Sequence, residues 1–280
     1  MTDLCLRYYL LLPAVDRADI KAFPAGFQML AGDTDLRDFT WAVPEPEKSL
    51  WTGAEASQPA LRQKALGFNC LHYYQNSNEP TLARHFLPDK EFLDKYCSNG
   101  LRLEVVFPSC WNGKDVDSPD HKSHMAYSSL VLDGTCPPGF PVRLPTLLYE
   151  TIWDTQSFAG MEGEFVLSNG DTTGYGNHAD FINGWNVDFL QRAIHTCTNP
   201  SGNIEDCSLF TLQDESCNQF TPPEQLRTEN CAGPRGGLCG QKEQAGGDVV
   251  EVTEVVTVTI TERSCTRAPE KRHAHHKHGH

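Results

Sequence analysis

No CxxC pair occurs in this chain, although it carries 11 cysteines, so neither a zinc ribbon nor a thioredoxin-type redox site is expected. Basic residues are scarce: 23 Lys and Arg stand against 37 Asp and Glu, a net charge of −14. General nucleic-acid binding needs cations to displace counterions from phosphates, so nucleic acid is not an expected partner. No apolar run is long enough for a transmembrane segment. The short run from Tyr8 to Leu12 follows Arg7 and precedes Asp16, Arg17 and Asp19, so it reads as a buried strand and not as a signal peptide. Neither a Walker pattern nor GxGxxG is present, which excludes the common phosphate-binding loops. GxSxG is missing too, and no serine triad or Cys–His nucleophile is recognisable.

What the chain does have is widely spaced cysteine in a sequence with 22 Gly and 18 Pro. That pattern suits disulfides formed in an oxidising, extracellular compartment. The odd count leaves at least one cysteine without a partner, and Cys5 and Cys265 are candidates because each lies near an end. Cys110–Cys136 and Cys197–Cys207 are the expected pairs, since turn-rich segments of modest length separate them.

Apolar and polar residues alternate over 101–107, the period of a half-buried strand, and further strands are expected at 129–132, 147–153 and 164–167. Pro88 and Asp89 open an expected helix that carries Phe92, Leu93 and Tyr96. Trp185, Phe189, Leu190, Ala193 and Ile194 recur at helical spacing within 181–197. The expected fold class is mainly β, β-sandwich-like or irregular α+β, with a few short helices and disulfide staples. The globular body is expected over 1–220. From 221 to 280 a Gly/Pro/Thr-rich stretch and the ending KRHAHHKHGH point to a disordered tail.

Four segments carry a resemblance: IKAFPAGFQMLAGD (20–33), LRQKALGFNCLHYY (61–74), FPSCWNGKDVDSPDHKSHMAY (107–127) and NGDTTGYGNHADFINGWN (169–186). Together they resemble the mostly fungal domain-of-unknown-function family numbered nineteen ninety-six, over about residues 7–217. The resemblance implies a secreted domain, sometimes joined to a module thought to bind carbohydrate, with no established activity. Members of that family begin with a His-x-His segment that this chain lacks, which points to a copy missing its N-terminal part.

The densest polar cluster runs from Trp111 to His124. Asp115, Asp117, Asp120, His121 and His124 are candidate catalytic residues there, with Trp111, Asn112 and Lys114 as candidate ligand contacts. Pro119 falls where an EF-hand would need a ligand, so that calcium site is excluded. The second cluster contains three glycines, Gly170, Gly174 and Gly176, with His178 and Asp180 as candidate catalytic residues and Tyr175 and Trp185 as ligand contacts. The cofactor is open. If it is a divalent metal, His121, His124 and His178 are the candidate ligands, which requires the two loops to meet. Asp117 and Asp180 are a candidate acid–base pair. The competing reading is that these groups cap turns and bond loop backbone, with Asp180 capping the following helix. Two functions follow: a carbohydrate-active or metal-assisted enzyme acting on cell-wall polysaccharide, or a non-catalytic glycan-binding module. Carbohydrate is the expected partner in both.

Overall fold

In β4 (Leu101–Val106), Leu101, Leu103 and Val105 point to one face of the sheet, and Arg102, Glu104 and Val106 to the other. β4 pairs antiparallel with β8 (Thr146–Trp153), in the register Leu103↔Thr151 and Val105↔Tyr149. β1 (Leu4–Leu10) and β3 (Leu66–Cys70) complete a four-stranded antiparallel sheet, order β1-β8-β4-β3. The computed structural model describes residues 4–10, 20–41, 45–75, 79–199 and 201–211. The chain divides into a unit Met1–Leu209 and a unit Phe210–His280. The expected boundary near 220, the tail after it and Cys265 all lie outside the described residues.

Two smaller sheets accompany the large one. β2 (Gln28–Gly32) pairs antiparallel with β9 (His178–Ile182). β5 (Cys110–Trp111) lies between β6 (Met125–Ala126) and β7 (Val142–Arg143). Three α-helices occur among the described residues: α1 (Gln58–Lys64), α2 (Lys90–Tyr96) and α3 (Val187–Thr196). Each starts where a short polar side chain satisfies a free amide: Ser57 bonds Ala60 N, Asp89 bonds Phe92 N and Asn186 bonds Phe189 N. Asp180 therefore does not cap α3. It lies in β9, paired with Leu30.

The main core fills the face of the sheet that carries Phe68, Leu101, Val105 and Leu147. Phe23, Phe27, Met29 and Phe181 around the β2–β9 pair and Leu190 and Ile194 of α3 pack against it. A second cluster on the other face joins Val106 and Leu148 to Trp51, Leu61, Leu82 and Val131. The mainly antiparallel, short-helix, disulfide-stapled architecture agrees with expectation. Cys110–Cys136 and Cys197–Cys207 are both bonded, with Cα separations of 5.5 and 4.9 Å. A third bridge, Cys70–Cys97, ties the end of β3 to the end of α2.

Two expected strands do not form. Residues 129–132 make a tight turn closed by a single bridge, Ser128↔Val131, with Val131 at a φ of 68°. Residues 164–167 are irregular, with Glu164 and Val166 exposed and Phe165 and Leu167 half-buried, just after Gly160 and Gly163 at positive φ. The free edge of β3 is covered by a strap, residues 79–87. Phe68 N donates to Arg84 O, Cys70 N to the Glu79 carboxylate, and His85 Nδ1 to Leu66 O. An edge covered in this way cannot pair with another chain.

Candidate functional site

The loop 111–124 leaves β5, turns several times and returns through β6, and its polar groups are spent on that path. Asn112 Oδ1 accepts the amides of Lys114 and Asp115, and its Nδ2 donates to the Asp115 carboxylate at 2.9 Å. The Trp111 indole N–H donates to Asp115 O at 2.7 Å, and its ring meets Phe27 edge-on. Asp120 Oδ1 accepts from the amides of Lys122 and Ser123 and from the Ser123 hydroxyl, and it shares the single Ser118 hydroxyl proton with His124 Nδ1. Led by the Ser123 amide, these bonds hold the Asp120 carboxyl far below its usual range. These are Asx-type turns, in which side chains replace missing backbone partners.

The same loop closes one edge of β2. Gln28 N donates to Val116 O and Leu30 N to His121 O, while the Gln28 side-chain amide donates to Asp117. His124 is buried against Phe27, and its Nε2–H donates to Gln28 O at 3.0 Å. Its Nδ1 lies 2.8 Å from the Ser118 hydroxyl, so both ring nitrogens are engaged. Burial lowers the His124 pKa, against the opposing pull of Gln28 O and the nearby aspartates. A serine hydroxyl on an imidazole has the reach of a nucleophile–base pair. Asp120, however, sits 2.8 Å from the same Ser118 oxygen, where an oxyanion would be repelled. The amides that might stabilise such charge donate to Asp120 instead. His121 is exposed, with Nδ1 2.7 Å from Asp117 Oδ1; this bond is the main cause of the lowered Asp117 pKa. Lys114 is exposed on the outer turn.

The second cluster is built around Asp171, which is fully buried. Its oxygens accept from Thr173 N, Thr173 Oγ1 and Gly176 N, and Arg37 Nε lies 3.7 Å away. Burial alone would raise the Asp171 pKa, but these bonds and Arg37 outweigh it and lower it. Tyr175 stacks on Phe39, which stacks in turn on His85. Trp185 donates its indole N–H to Tyr9 Oη and stacks on Phe189.

The even-numbered amides of β2 face loop 111–124, and the other edge of β2 pairs with β9. His121 and His124 thus lie on one flank of β2, and His178 and Asp180 on the other. Asp117 is likewise separated from Asp180. Among the described residues, no three His, Cys, Asp or Glu side chains are grouped to hold a metal ion.

A cleft of about 400 Å³ lies elsewhere, over the β4–β8 face. Its floor is Leu101, Leu103 and Val105 of β4 with Tyr149, Thr151 and Trp153 of β8. Phe165, Val166, Asn177, His178 and Ala179 line it as well, and Asp154, Ser168 and Asn169 add polar side chains. The Trp153 indole N–H donates to Thr151 Oγ1 at 3.0 Å, which fixes the ring along the strand. An apolar, partly open cleft with a few polar groups is the usual form of a small-ligand site.

A model for a domain of unknown function (DUF1996) matches residues 1–185, about two thirds of the chain. The chain belongs to the DUF1996 family. No curated protein and no solved structure matches it. Both polar loops and every residue of the cleft fall inside the DUF1996 match, whereas α3 and the Cys197–Cys207 bridge lie beyond it. Among the described residues, no helix of this DUF1996 chain is long and apolar enough to cross a membrane, and its three disulfides are compatible with an extracellular protein. Of the candidate residues read from sequence, His178 alone lines the cleft. Tyr149, Trp153, Asp154 and Phe165, which also line it, are not among the candidates that the sequence suggests. The usable signal was the alternation Leu147, Tyr149, Thr151, Trp153, which puts two large rings on one face of a strand.

Proposed function

We propose that this domain is an extracellular glycan-binding module whose ligand lies in the cleft over β4 and β8. The observation that carries this reading is a cleft lined by Tyr149 and Trp153 from one face of β8 and by Phe165, with a few polar side chains among the lining residues. Sugar rings present flat C–H faces that stack on aromatic rings, while their hydroxyls need donors and acceptors at the edge. His178 and the acceptor capacity left on Asp154 and Asn177 can meet that second requirement, whereas Asn169 is held in its own turn by Thr34 O, Gly176 O and the Asp171 amide. Binding is favoured over the enzymatic reading because the carboxylates and imidazoles of loop 111–124 are engaged in that loop's own turns and in holding β2. The polymer is expected to be cell-wall polysaccharide, and the disulfides suit that compartment.

The test is co-sedimentation of the full chain with insoluble chitin, β-1,3-glucan and cellulose, with assay of the supernatant for released sugar. Saturable retention on at least one polymer, with no soluble product, is the expected result. Soluble oligosaccharide above the blank would replace this reading with the enzymatic one, and lack of retention on all three would overturn the glycan assignment.

A further inference from the structure

The face of the sheet opposite the cleft holds a polar group that none of the chemistry above uses. Glu104 of β4 is fully buried there. It lies directly across the strands from Glu150 of β8 on one side and from Gly67 of β3 on the other. A Cβ at position 67 would stand 2.3 Å from Glu104 Oε2, so glycine makes room for the carboxyl group. Glu104 Oε2 accepts the Leu82 amide at 2.7 Å. Leu82 belongs to the strap 79–87 and has a φ of 60°, a left-handed conformation costly for leucine that persists only where its surroundings hold it.

The charges around this group do not balance. Among the described residues, Arg102 is the one cation paired with these acids, its Nη2 2.9 Å from Glu104 Oε1 and its Nε 3.6 Å from Glu150 Oε1. From the strap, Glu79 and Arg84 pair with each other. The register places Leu6 of β1 opposite Glu150. Among the described residues, these two buried acids share one base and fall one positive charge short of neutrality, and an uncompensated charge in such a place is expensive. There is also a shortage of donors. Glu104 Oε1 lacks hydrogen-bond geometry to any partner, and fully buried Asn69, opposite Arg102, leaves its amide oxygen unbonded, with its nitrogen near Glu104 but outside good hydrogen-bond geometry.

We propose that Glu104 is a proton-binding site, occupied in the folded domain near neutrality, which makes the domain more stable in mild acid than in alkali. One proton neutralises the excess charge and supplies the O–H that this face lacks, with Asn69 Oδ1 and the Glu150 carboxylate as the acceptors nearby. Burial, reinforced by the charge of Glu150, pushes the Glu104 pKa from 4.5 up to about 7, against the Leu82 amide and Arg102. An unfolded Glu104 ionises near 4.5, so the folded state retains the proton over a window in which the unfolded state loses it. Stability is full below that window and falls as pH rises through it towards 7. The strap, joined to Glu104 through the Leu82 amide, is where the strain of an ionised Glu104 is released.

The experiment is denaturant unfolding of the full chain and of Glu104→Gln between pH 4.5 and 8. Glutamine mimics the protonated acid and still accepts the Leu82 N–H. Relative to the variant, the folded-to-unfolded ratio of the wild type should drop on the order of 100-fold across this range. Taking the difference removes the contributions of His124 and the other carboxylates. A wild-type-to-variant ratio that stays constant with pH overturns the proposal. If Glu104→Gln does not fold, amide exchange at Leu82 of the wild type, corrected for the intrinsic pH dependence, decides instead. Protection should weaken above pH 7, and constant protection overturns the proposal.

Discussion

Loop 111–124 and the cleft over β4 and β8 differ in what they offer a ligand: the one is a run of polar side chains, the other a surface of apolar and aromatic ones. In the loop, Asn112, Asp117, Asp120 and His124 all have partners inside the loop or on β2. The cleft is lined mainly by apolar and aromatic side chains of β4, β8 and the segment 165–167, and some of its polar residues, Asn169 among them, are likewise held in their own turns. The loop is conspicuous in sequence because its chain makes tight turns without a ladder and needs side chains to satisfy its amides. The cleft is inconspicuous because its residues are ordinary strand residues. Density of polar groups thus marks the structural device here, and alternation of large rings marks the surface proposed for binding.

The largest expected effect tests whether the polar loops are structural. Gly174 has a φ of +86°, and a Cβ there would stand 2.6 Å from Leu87 N and 2.7 Å from the Phe68 ring. Gly174→Ala should cost about 3 kcal/mol of unfolding free energy, from strain and overpacking together. An unchanged urea midpoint would mean that the loop is not anchored as described. Next comes His124→Ala, which empties a buried site and leaves Gln28 O without its donor. A loss of about 2 kcal/mol is expected, with retention on polysaccharide unchanged.

His124 also has a pH signature. Its folded pKa lies below the ordinary 6.5, so its neutral form is the one the fold prefers. The stability it contributes is present above 6.5 and is lost as pH falls towards its folded value. Proton NMR of the His124 ring should give an inflection below 6.5, and an inflection above it would contradict the buried, doubly bonded imidazole. The smallest effect is expected from His121→Ala. This ring is 47% exposed and pairs with Asp117 in solvent, so the denaturation midpoint should not move measurably. A clear loss of binding in this variant would return loop 111–124 to the functional reading.

Local signals in the sequence carried much of the fold. Alternation of Leu101, Leu103 and Val105 with Arg102 and Glu104 and the apolar run at 147–153 became β4 and β8, and α2 starts at Asp89 as expected. Where the reading failed, tertiary packing decided. Val131 has strand propensity, yet it is buried at positive φ in a turn whose Ser128 hydroxyl donates to Val131 O. Cys70–Cys97 joins a strand end to a helix end, which requires knowing that α2 folds back on β3. The candidate site was less legible. Both polar clusters lie along β2, but on opposite edges, and sequence spacing carries no sign for the edge. The cleft needs β4 and β8 in register with Phe165 from an irregular segment beside them, a meeting that no single stretch encodes.

The comparison between loop and cleft is tested most directly by measuring polysaccharide binding of two variants in parallel, Trp153→Ala in the cleft and Asp115→Asn in the loop, against the polymer that retains the wild type. Loss of the Trp153 ring should weaken binding roughly tenfold, the effect typical of a central aromatic contact, while Asp115→Asn should bind like the wild type. Unchanged binding by Trp153→Ala together with a tenfold loss in Asp115→Asn would contradict the account and move the site to the loop.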